Sequence, residues 1–179
     1  MILDRVCIRF RQFLFAMSAA MNEVDWHFVN RFLNPEELVC FKLLPEFEQK
    51  HSVIVAQKME ELAQGKKELD QRKAARIGLL HDIGKSVLHL SVMEKSVLTV
   101  IRFILRPLYN LLAKSGDKPQ SKLIYRKFYY HKHHPAVGAE ILENIKVDQE
   151  IVNCTRFHDN NAKYDNIYKE LLVKADTTW

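Results

Sequence analysis

Three observations predict an all-α fold. Apolar residues recur at helical spacing through most of the chain, no segment alternates convincingly with a period of two, and several stretches open or close on residues that cap helices. Five glycines and five prolines are also too few for a turn-rich β-sandwich.

The first helix is expected over about Asp4 to Met21, as an amphipathic element packing on the domain. Arg5, Arg9 and Arg11 before FLFAMSAAM give it a faint likeness to a signal peptide, but its apolar run is short and diluted by Ser and Ala. A second helix opens at Asn34-Pro35-Glu36-Glu37, where Asn can cap, Pro suits the first helical position and the acids complement the dipole. A third runs from about Glu46 to Gln64 and stops at Gly65, a good left-handed terminator. The fourth, from about Leu69, leads into LLHDIGKS, residues 79 to 86.

Two more helices are expected between about Val92 and His133, kinked or restarted at Pro107. Their apolar residues at 97, 98, 101, 104, 105, 108, 111 and 112 share one wide face, read as core-facing with a basic back. Arg102, Arg106 and Pro107 interrupt this stretch too often for a transmembrane span. Pro135 is read as opening the next helix, HPAVGAEILENI, with His134 at its N-cap. Asp148 can cap QEIVNCTRFH, and a last helix covers about Asp165 to Ala175.

At 179 residues the chain has room for one domain with a real core, or a domain plus an extension. The composition, 47% apolar and 27% charged, is that of an ordinary globular protein, without repeats or low-complexity linkers. The net charge of +5 is modest, but its distribution is lopsided. From Lys95 to Lys132 nine basic residues face one acid, Asp117. So concentrated a positive field attracts polyanions, be they nucleotides, nucleic acid or an anionic membrane. Cys7, Cys40 and Cys154 are far apart and odd in number, so they indicate neither a zinc knuckle nor a disulfide framework. They read as reduced thiols of a cytoplasmic protein.

The polar residues on the helical map carry the functional signal. His51 shares a face with Val55 and Met59 and looks inward; His158 does so beside Ile151 and Thr155, and Asp176 beside Leu172. His81 and Asp82 end the apolar stripe of Ala74 and Ile77, with Lys85 one turn on and Gly84 permitting close approach. HKHHP places His131, His133 and His134 just before Pro135. Alone, each has an ordinary structural use: a core histidine bonded to a carbonyl, a cap, a surface tract, or an aspartate in a salt bridge. Together they gather imidazoles and carboxylates without thiolates, a donor set suited to divalent metals and unlike a closed structural zinc site.

With these residues in place, the chain resembles the HD-domain metal-dependent phosphohydrolases, in particular their HDIG-type members. His51, the HDIGK run from His81 to Lys85, and the KAD run from Lys174 to Asp176 match the family's ordered signature. HPAVGAEIL (134–142) and TRFHD (155–159) resemble the stretches that carry two additional histidines in binuclear members. The resemblance covers about Leu44 to Trp179. It implies an HD-type helical bundle over residues 44–179 with an N-terminal helical extension over 1–43. Where HD-GYP cyclic-dinucleotide phosphodiesterases have a Gly-Tyr-Pro element, this chain reads DNNAKYDNIY. The order of ligands and the HPAVGA stretch are closer to HD-type symmetric diadenosine-tetraphosphate hydrolases.

The resemblance implies hydrolysis of a phosphate ester or anhydride in a small nucleotide-like substrate by a metal-activated hydroxide. His51, His81, Asp82 and Asp176 would hold one divalent ion. His134 and His158 would hold a second, with Asp82 bridging. Imidazole-rich ligation favours Fe, Mn, Co or Ni, with Mg or Zn possible. Asp82 and Lys85 are the expected catalytic residues, and Lys85, Arg126, Lys127 and His133 are candidates for substrate binding. Two alternatives remain open at this point. One is a non-catalytic nucleotide- or metal-binding signalling module. The other, less favoured, is an RNA-associated phosphodiesterase using Arg126, Lys127, Tyr129 and Tyr130.

Overall fold

The computed structural model describes residues 19–118, 120–158 and 164–177. Among them the chain is all-α, with α1 (Glu23–Phe32), α2 (Pro35–Lys42), α3 (Glu46–Ala63) and α4 (Gln71–Leu80), then a short 3-10 helix (Ile83–Ser86). There follow α5 (Val92–Ile104), α6 (Arg106–Ser115), α7 (Leu123–Asn144), α8 (Gln149–Phe157) and α9 (Ile167–Thr177). The helix expected over Asp4 to Met21 lies largely outside the described residues, and its last three positions, 19–21, are not helical.

Local chemistry accounts for most boundaries. Asn34 accepts a hydrogen bond from the Glu37 amide while the Glu37 carboxylate accepts one from the Asn34 amide, a reciprocal cap with Pro35 in the first turn. Asn22 and Asp25 close the same box on α1, a helix the sequence reading passed over. Asp70 caps α4 and Asp148 caps α8. Gly65 takes a φ of 75° just beyond α3, as a left-handed terminator should.

Pro135 does not open a helix. It lies inside α7, which runs unbroken from Leu123 to Asn144. The ring removes one backbone donor, so the His131 carbonyl loses its usual partner four residues on. The Nδ1 of His134 takes that carbonyl instead, at 3.1 Å. His134 is therefore a mid-helix residue and not an N-cap, oriented by the bond the proline left open.

The apolar face of α5 and α6 also departs from expectation. Pro107 sits in the first turn of α6 and restarts the helix. Only Leu98, Tyr109 and Ala113 are buried there, in a small cluster with Phe128 of α7. Val97, Ile104, Leu105, Leu108 and Leu111 face outward. The main core lies elsewhere. It joins Val29, Phe32 and Phe41 of the first two helices to α3, α4 and the 3-10 helix, and to the buried residues of α7 to α9.

Candidate metal centre

Three helix ends and one close approach assemble the site. α3 packs along α4, bringing His51 beside His81, with ring centroids 5.3 Å apart. The 3-10 helix lies against α7 so tightly that the Gly84 and Gly138 backbones nearly touch. That contact sets Asp82 opposite His134. α8 ends at His158, whose ring is 5.2 Å from His81 and 5.4 Å from His134. α9 delivers Asp176 to His51 from the other side.

Asp82 is at the centre and is almost fully buried. Its Oδ2 lies 3.2 Å from His81 Nε2 and 3.5 Å from His51 Nε2. Its Oδ1 lies 3.3 Å from His134 Nε2 and 3.5 Å from His158 Nε2. Asp176 Oδ1 is 3.2 Å from His51 Nε2. All six residues expected to ligate metal are thus within one constellation. Two triads, His51–His81–Asp176 and His81–Asp82–His158, have ligand atoms within 4.8 Å of one another. His134 joins neither triad and borders the site through Asp82.

The opposite nitrogens explain what those distances mean. His81 Nδ1 is bound to the Gly78 carbonyl at 2.8 Å, His134 Nδ1 to that of His131 at 3.1 Å, and His158 Nδ1 to that of Thr155 at 2.7 Å. In each case the acceptor is three residues back. His81 and His158 cap the C-termini of α4 and α8, where the helix leaves its last carbonyls open. The His131 carbonyl is open because of Pro135. Each bond places a proton on Nδ1 and turns Nε2 to Asp82, so that a neutral ring presents its Nε2 lone pair to a carboxylate that has only lone pairs to offer. Burial holds His134 below the ordinary histidine value, so that ring is neutral.

Acceptors converging on a carboxylate repel unless a proton or cation lies among them. Asp82 Oδ1, buried, accepts no hydrogen bond of good geometry. Imidazole and carboxylate donors, with the outer ring nitrogens tied to carbonyls, are the arrangement metal-binding histidines adopt. The residues present fit a divalent ion.

Lys85 supplies the nearest fixed positive charge. It is paired with Asp82 and donates to Glu48 at 3.1 Å, while Lys95 donates to Glu48 at 2.6 Å. Burial would raise the Glu48 pKa, but Lys85 and Lys95 overcome it and hold the carboxylate at about 2. Burial likewise opposes the charge on Asp82, yet the paired Lys85 ammonium helps keep it well below the usual aspartate range. Burial works against the Lys85 ammonium too, but Asp82 and Glu48 raise its pKa above the ordinary lysine value. Glu48 is the site residue that sequence reasoning missed. It stands three positions before His51 and so on its face, a signal masked by the usual role of acids in a first helical turn.

The other expected residues are not brought to the imidazoles. Lys127 is paired with Glu94, and Arg126 lies over the Tyr130 ring at 5.9 Å. His133 stacks on Tyr129, with centroids 4.7 Å apart. His131 turns to the Tyr109 hydroxyl at 2.7 Å, and burial pushes its pKa down to about 3. Only one ring of HKHH therefore faces Asp82.

The family model described as HD domain matches residues 49–178. No curated protein and no solved structure matches the chain significantly. Among the described residues, no helix is long and apolar enough to cross a membrane.

Proposed function

The chain belongs to the HD-domain family, and from that premise we propose that it is a phosphohydrolase using divalent metal to cleave a phosphate ester or anhydride of a small nucleotide-like substrate. One observation carries the proposal: four Nε2 atoms and two carboxylates converge, with three of the rings fixed through Nδ1 so that each turns its Nε2 to Asp82.

His51, His81, Asp82 and Asp176 would hold one ion. His134 and His158 would hold a second, with Asp82 common to both. Such ions, with Fe, Mn, Co or Ni favoured over Mg by the imidazole-rich ligand set, would supply Lewis acidity and a water acidic enough to ionise near neutral pH.

The chain's own groups do the rest. The carbonyl-anchored rings need no reorganisation, because their tautomers and orientations are already set. Asp82 stays ionised through its neighbours. Lys85, held between Asp82 and Glu48, presents a cation to negative charge developing on the phosphoryl or leaving oxygen. The basic residues between Lys95 and Lys132 raise the local concentration of a polyanion.

The test is phosphate or nucleotide release from a panel of nucleoside monophosphates, dinucleoside polyphosphates and a nitrophenyl phosphodiester, with Mn, Fe or Co supplied. Turnover that disappears in Asp82→Asn supports the proposal. Saturable nucleotide binding with no turnover under any of these metals would instead indicate a signalling module.

A further inference from the structure

The helical hairpin of α5 and α6 shows the surface that the fold leaves most out of place. Met93, Val97, Val100 and Ile104 follow one another at steps of four, three and four, and all four are exposed. At 100° per residue their stripe lies roughly 130° around the helix from the buried Leu98. The outward face of α5 is thus as apolar as its packed face. Residues 103–108, which span the junction of the two helices, are all exposed, and Leu108 and Leu111 extend the surface along α6. Contiguous apolar exposure of this kind marks a binding surface.

We propose that this hairpin docks on an anionic lipid bilayer, lying in the headgroup layer without crossing it. Charge selects the occupant. Arg106, Lys114, Lys118 and Lys122 are exposed on and after α6, and Asp117 is the lone acid between Lys95 and Lys132. An apolar face bordered by Lys and Arg is the composition of helices that settle into the interface of anionic membranes. A second copy would set one strongly basic segment against another. Residues 1–18 carry Arg5, Arg9 and Arg11 against Asp4 and are repelled in the same way. RNA would leave the aliphatic stripe without a partner, since bases stack on aromatic rings.

Co-sedimentation of the full chain with vesicles decides the matter, comparing phosphatidylcholine alone with phosphatidylcholine mixed with phosphatidylglycerol. The chain should pellet with the mixed vesicles and stay in solution with the neutral ones. Val100→Asp combined with Ile104→Asp should weaken binding about tenfold or more, and so should Arg106→Glu combined with Lys114→Glu. These side chains are exposed, so helix content by circular dichroism and metal content should not change. Three results would overturn the proposal. One is no binding to mixed vesicles. Another is a concentration-dependent dimer that the aspartate pair disperses. The third is binding that survives both double substitutions but is lost on deletion of residues 2–18.

Discussion

Gly84 and His134 meet backbone to backbone: a methyl group on the Gly84 Cα would lie 2.0 Å from the His134 carbonyl oxygen and 2.6 Å from the Gly138 amide nitrogen. Neither atom belongs to a side chain that can swing away. Gly84→Ala must therefore push the 3-10 helix off α7 and carry Asp82 away from His134. The expected result is a loss of about 3 kcal/mol in chemical denaturation, from overpacking, together with weaker metal binding.

Glu48 gives the fold a defined sensitivity to acid. Its folded pKa of about 2 lies below the ordinary glutamate value of 4.5. The stabilisation it provides is therefore complete above about pH 4.5 and is lost as pH falls toward 2. Thermal melts of metal-free protein should show this fall. In Glu48→Gln the melting temperature should be lower at neutral pH, and its decline across that window shallower. Parallel curves for the two proteins would contradict the assignment.

Glu37 ties the first helices to the site's framework. It is fully buried, caps α2 through the Asn34 amide, and is paired with Arg76 of α4. Glu37→Ala leaves the guanidinium without its partner and should cost roughly 3–5 kcal/mol. For a chain of this size that is a drop on the order of 10 °C in melting temperature. A drop of only a degree or two would show that α2 contributes little to the domain.

Lys85 separates catalysis from assembly. Under the proposed role, Lys85→Met should keep its metal and lower kcat by about a hundredfold, the usual cost of removing one preorganised donor to developing charge. KM should change far less. A higher KM with unchanged kcat would make Lys85 a substrate-binding group only.

Much of this was legible in the sequence, and the reasons differ by residue. Asn34 with Glu37, Gly65 and Asp148 mark helix ends through chemistry confined to a few neighbouring residues. The six candidate ligands were named through the family resemblance, supported for His51, His158 and Asp176 by the rarity of inward polar residues on apolar helices. The Pro135 helix was misjudged because the compensating bond, from His134 Nδ1 to His131, uses a side chain that no propensity rule counts. The outward face of α5 and α6 looked like core because periodicity reports that a face is apolar, not what covers it. Glu48 escaped because its partners, Lys85 and Lys95, lie 37 and 47 residues away.

The convergence of imidazole nitrogens on Asp82 is the central claim, and metal content tests it most directly. Protein purified without chelator or metal-affinity resin would be measured by elemental analysis, beside Asp82→Asn prepared identically. The account predicts about two transition-metal equivalents per chain in the native protein and close to none in the variant. A native chain that stays empty after incubation with Mn, Fe and Co, or a variant that keeps its full complement, would contradict it.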